Sequence, residues 1–144
     1  MSKNKPVDPN CPIVKLCVEG MKAETQGRAN EALALFMQAW EQSNSDYDAC
    51  IAAHYVARHQ KMPDDVLRWN QESLDRANAV NDDRVHGFYP SLYLNMGKSH
   101  EDLGNREEAR RYYELASAKM GALPCGPYGD MVRDGITRGL QRVS

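Results

Sequence analysis

Three features of the chain predict an all-α protein built from pairs of helices folded back on each other. The first is an internal repeat: Gly20, Gly27, Ala32, Phe36 and Ala39 recur as Gly97, Gly104, Ala109, Tyr113 and Ala116, each 77 places further on (Gly20 to Gly97). Glu24 and Glu31 recur at the same displacement as Glu101 and Glu108. The second is turn chemistry, because Gly27 and Gly104 fall where a first helix must stop and glycine tolerates the left-handed backbone that closes a helix. The third is apolar spacing at three and four residues, with no strand-like alternation from which a sheet could be built.

The elements follow in order. Residues 1–11, rich in Lys, Pro and Asn, read as a flexible tail. Pro12 suits the first turn of a helix, where its missing N–H is no loss, and that helix runs to about Gln26. Its partner extends from about Ala29 to Ser43. Asp46 is the expected N-cap of the next helix, which ends near Gln60, and Pro63 opens the following one, continuing to about Val80. Asn81-Asp82-Asp83 marks a boundary. A helix then passes through Leu92 to Leu103; its start stays open, because Pro90 disfavours helical geometry at Tyr89. The next spans about Arg106 to Lys119 with Gly121 as its stop. After a loop from Gly121 to Gly126, Pro127 opens a final helix to Val143.

In that last helix Val132, Ile136, Leu140 and Val143 form an apolar stripe, and Arg133, Arg138 and Arg142 form an opposite, solvated face. Gly135 and Gly139 each cost roughly 1 kcal/mol of helix propensity relative to Ala, which points to close packing there. One apolar and one charged face is what covers the open end of a helix stack.

The spacing Gly, Gly, Ala, aromatic, Ala resembles the tetratricopeptide repeat, a helix-turn-helix of about 34 residues. Both copies match it, and a degenerate middle repeat fits between them, since His54 lies 34 residues after Gly20 and Gly97 lies 43 after His54. In that repeat Val66 replaces the small alanine, Asn70 the aromatic and Ser73 the closing alanine, with Leu67, Trp69 and Leu74 able to supply the lost volume. The resemblance implies a right-handed stack, an α-solenoid of three helix pairs over residues 12–121. Residues 122–144 then form the loop and a C-terminal capping helix.

Composition bounds the function. At 144 residues the chain fits one domain, and about 70% of the surface exposed on unfolding can be buried at that size. A net charge of −2 gives no excess of positive charge to draw it to nucleic acid or an anionic membrane. No run of about 18 apolar residues is present, and the opening lacks the apolar core of a secretory signal. Cys11, Cys17, Cys50 and Cys125 are scattered without a C-x-x-C pair, as expected of free thiols in a reducing cytoplasm.

Catalytic patterns are not found in the sequence. His54 and His59 are five apart and fall on different sides of a helix, while His86 and His100 have no ligand partners near in sequence. There is no glycine-rich phosphate loop and no nucleophile elbow. Glu107-Glu108, Asp64-Asp65 and Asp82-Asp83 read as helix-start and turn residues. The expectation is a non-catalytic domain needing no cofactor or metal, monomeric or weakly dimeric.

What the resemblance implies is a surface. In tetratricopeptide stacks the first helix of each repeat lines a concave groove that holds a peptide or helix of a protein partner. Carried over by register, this gives Cys17, Met21 and Glu24 from the first repeat. The second gives Ile51, Tyr55, Arg58 and His59, and the third gives Leu94, Asn95, Lys98 and Glu101. Met21, Ile51 and Leu94 serve equally as packing between helices. Tyr55 and Arg58 are the expected hot spots, because aromatic and arginine side chains dominate binding energy. The clamp by which one subclass grips a terminal carboxylate is missing: Cys17 and Met21 stand where it needs donors, although Asn95 and Lys98 match parts of it. Two other classes share this outline, a small secretion chaperone and a helical subunit of an enzyme, the latter with its site around Tyr55, Arg58 and His59.

Overall fold

The structure is a computed structural model that describes residues 11–144, and among these every regular element is helical. The expected tail lies outside the described residues except for Cys11. The chain forms two compact units, divided between Asp82 and Asp83.

The N-terminal unit contains α1 (Pro12–Thr25), α2 (Ala29–Gln42), α3 (Asp46–Ala57) and α4 (Pro63–Val80). α1 packs on α2 and α3 on α4, while α3 also touches α2 and α1. The turn from α1 to α2 depends on Gly27, whose φ of 75° is the left-handed conformation its place in the repeat requires. Ile13, Cys17, Ala23, Ala32, Phe36, Ala39, Ala52 and Val56 form one core from three helices. Gly20 is small because a side chain there would strike the Phe36 ring.

The degenerate second pair closes differently. Ser73 is fully buried at the place of an alanine, and its hydroxyl donates to the Cys50 carbonyl at 2.8 Å. Asn70 and Leu74 are buried beside it, and Trp69 meets Trp40 edge to face at 5.1 Å. Buried polar groups that find partners cost little, which is how this pair does without the repeat's aromatic.

Two boundaries of this unit differ from expectation, the cap and the end of α3, while the end of α4 falls where expected. Ser45, not Asp46, caps α3, its hydroxyl accepting from the Asp48 N–H at 3.2 Å; Asp46 is the first helical residue. α3 ends at Ala57 rather than near Gln60, because Arg58, His59 and Gln60 each bond back three residues and tighten the last turn. α4 stops at Val80, with Asn81 left-handed at φ 48°.

The C-terminal unit contains α5 (Asp83–His86), α6 (Tyr89–Asp102), α7 (Arg106–Ala118), a 3-10 turn (Met120–Ala122) and α8 (Pro127–Val143). The one-turn α5 was not legible in the sequence. It buries Val85 and delivers the chain to α6, where Pro90 occupies the first turn and needs no N–H partner. α7 gives way to the 3-10 turn at Ala118, so Gly121 lies inside that turn and is not the helix stop. α8 packs on α7 and α6. Its expected apolar stripe is buried at Val132, Ile136 and Val143 and half-buried at Leu140. Each fully buried aliphatic side chain of this kind contributes about 1.5–3 kcal/mol. The arginine face is less solvated than expected: Arg133 donates to the carbonyls of Leu123 and Pro124, and Arg142 bonds to Glu101.

The repeat signature has one structural meaning in both units. A Cβ at Gly97 would stand 2.7 Å from the Tyr113 ring, as one at Gly20 would strike Phe36. The glycine of the first helix is the seat of the aromatic on the second.

Candidate functional site

In the N-terminal unit α1 and α3 lie side by side, and their adjoining ends carry a cluster of charged and aromatic groups. Glu24 ends the α1 stripe Val14, Val18, Met21 and Glu24, residues three and four apart on one helix face. Ile51, Tyr55 and Arg58 share a face of α3 and its last turn by the same spacing. Glu24 ties the two together, pairing through one oxygen with Arg58 and through the other with His59 Nε2 at 2.6 Å.

Stacking orders the rest. Phe36 lies parallel to Tyr55 with ring centroids 4.9 Å apart, and the Arg58 guanidinium sits 4.9 Å over the Tyr55 ring. His59 also stacks on Phe36, at 5.6 Å. Burial by itself would raise the Glu24 pKa, but the hydrogen bonds and charges of Arg58 and His59 hold the carboxyl below its ordinary range. Arg58 therefore reaches the surface in a fixed pose, its side chain 45% exposed.

His54, at the position of Gly20 in the degenerate repeat, is half-buried with its ring against Tyr55 at 5.1 Å. Desolvation, helped by the Arg58 charge and opposed by Glu24, pushes its pKa down to about 4. It is neutral at physiological pH and belongs to the packing.

Of the residues assigned to the groove, Cys17 is not accessible. It is only 3% exposed and sits in the core, because it shares the buried stripe of Ile13 and Gly20. Burial, with smaller contributions from Asp48 and Cys11, raises its thiol to about 11. Met21, Ile51 and Tyr55 are half-buried and pack against that core, each with surface remaining. Glu24, Arg58 and His59 come together as described.

The third set lies in the C-terminal unit. Leu94 packs against the α8 core and stands beside Gly135. Asn95 is half-buried and Lys98 exposed. Glu101 is engaged within its unit: it accepts from the Tyr113 hydroxyl at 2.6 Å and from Arg142 at 2.7 and 3.1 Å. Those bonds, Arg142 first, hold its pKa below the ordinary value against the effect of burial.

Val18 went unmarked in the sequence analysis. It is 40% exposed, an unusual state for a valine between Val14 and Met21, and the spacing from Met21 was the available signal. A hollow elsewhere in the same unit is lined by Trp40, Ser43, Asn44, Ser45, Asp46, Ala49 and Arg76. There Arg76 is spent on Asp46 at 3.0 Å and Glu72 at 2.8 Å.

No family model, curated protein or solved structure matches the chain. Among the described residues no helix is long and apolar enough to cross a membrane.

Proposed function

We propose that the protein is a non-catalytic, cytoplasmic interaction module of the tetratricopeptide type, a right-handed stack of helix pairs closed by α8, that binds a peptide or helix of a protein partner on the first helices of its repeats. The observation that carries the reading is the Tyr55–Arg58 pair. An aromatic ring backed by the buried Phe36 and a guanidinium held by Glu24 reach the surface already ordered. Side chains that are rigid before binding lose little entropy on contact, which is what makes aromatic and arginine residues effective anchors. The seating of Phe36 on Gly20 and of Tyr113 on Gly97 supports the repeat reading, because it gives the small and aromatic positions the same task in both copies.

The test is selection of binders from a random linear peptide library on the immobilised full chain, followed by calorimetry. Tyr55→Ala and Arg58→Ala each lose about 2 kcal/mol, roughly thirtyfold in affinity, with circular dichroism confirming the fold. The double change Glu108→Ala with Arg111→Ala leaves affinity nearly intact. Equal affinity of the Tyr55 and Arg58 variants and the unaltered protein overturns the reading.

A further inference from the structure

Resting on that reading, the geometry points to the chemistry of the partner: we infer that the α1–α3 face takes a segment with an aliphatic residue seated on Val18 and Met21 and a carboxylate side chain a short distance along it, bound to Arg58. Val18, Met21, Ile51 and Tyr55 present partly exposed apolar surface on two adjacent helices. Such surface favours an aliphatic chain, since each Å² of apolar area removed from water contributes about 25 cal/mol.

The charged end is selective in its own way. Glu24 accepts from only one guanidinium nitrogen of Arg58, and an arginine carries five N–H donors in a planar fork. The Arg58 side chain is 45% exposed, with one side of the guanidinium against Tyr55. A carboxylate is the group that matches such a fork, because its two oxygens accept in one plane. Glu24 does not compete for this place, since its second oxygen is occupied by His59. Glu24 acts as the positioning residue that aims the fork, and an ammonium in place of Arg58 would not reproduce it. The protein's net charge is −2, so the carboxylate is held by local geometry rather than by long-range attraction.

The spacing follows from helix geometry. Val18 and Glu24 are six residues apart on α1, about 9 Å along the axis at about 1.5 Å per residue. A segment laid along the face therefore places its acid about three positions from the aliphatic anchor if extended and about six if helical.

Peptides selected from the random linear library supply the probe. On the unaltered protein, replacing the peptide's acid by its amide lowers affinity about tenfold, and replacing the aliphatic anchor by Ser does the same. On Arg58→Gln, the acid-to-amide change costs less than twofold while the anchor still matters; on Val18→Asp, the anchor effect disappears. Selected peptides that depend on Tyr55 but show no acidic preference, or keep the full acid effect on Arg58→Gln, overturn this inference and leave the interaction reading standing. A library yielding no peptide that depends on Tyr55 overturns both. The peptide-side substitutions need no altered protein, so a misfolded Arg58→Gln does not remove the test.

Discussion

Phe36 in the N-terminal unit and Tyr113 in the C-terminal unit hold matching places in the repeat, yet they are covered in opposite ways. Phe36 is covered by rings, with Tyr55 at 4.9 Å and His59 at 5.6 Å. Tyr113 is covered by backbone, because Gly139 of α8 comes so near that a Cβ would stand 2.5 Å from the ring. The matching glutamates diverge with them. Glu24 takes Arg58 and His59, whereas Glu101 takes the Tyr113 hydroxyl and Arg142. A single hydroxyl on the repeat aromatic thus accompanies a closed contact in one unit, and its absence accompanies an aromatic and cationic surface in the other. Identical positions in a repeat secure packing in both units but leave the matching glutamates with different partners.

This contrast makes the C-terminal seat the less forgiving one. Tyr113 is pinned by Gly97, Gly139, Glu101 and Arg142, so Gly97→Val destabilises by about 3 kcal/mol, while Gly20→Val costs about 2 kcal/mol because Phe36 has no tethered hydroxyl. Urea melts followed by circular dichroism measure both, and equal shifts would break the comparison.

Acid separates the units next. The folded-state pKa of His54 lies at about 4, below its ordinary 6.5, so its contribution is complete above about pH 6.5 and is lost as pH falls toward 4. The loss is on the order of 3 kcal/mol and belongs to the N-terminal unit. The depressed carboxyls of Glu24 and Glu101 act in the same direction at lower pH. Melts of the protein and of His54→Gln between pH 7 and 4 check this: the variant loses most of the slope above pH 4.5. An unchanged slope would remove His54 as its source.

Converting one arrangement into the other gives a smaller effect. Tyr113→Phe leaves the ring in place but removes the hydroxyl bonded to Glu101, at a cost of about 1–1.5 kcal/mol in thermal or urea unfolding. No change on loss of the hydroxyl would show that the Glu101–Arg142 pair closes the unit alone. The smallest change is at the exposed Arg111–Glu108 pair, where Arg111→Ala stays within about 0.5 kcal/mol.

Much of the architecture was legible. Proline and glycine placed the starts of α1, α4 and α8 and the left-handed turns at Gly27 and Gly104, because these residues restrict the backbone whatever surrounds them. The boundaries that shifted depend on hydrogen bonds a few residues long: the Ser45 cap, the tightened end of α3, and the 3-10 turn around Gly121. Those choices lie within small differences of local energy that composition does not reveal.

At the candidate site the repeat resemblance, carried over by register, brought forward Tyr55, Arg58, His59 and Glu24. It also admitted Cys17 and passed over Val18, neighbours whose fates differ by one step around the helix. By itself, then, the sequence determined most of the helices and the left-handed turns at Gly27 and Gly104, because periodicity and backbone freedom act locally; the seating of each aromatic on its glycine emerged only in the structure. Only the tertiary structure decided that Glu24 would bind Arg58 and His59 while Glu101 closed on Tyr113 and Arg142. Those partners lie 34 to 41 residues apart or follow from the aromatic's own hydroxyl, and packing alone brings them within reach.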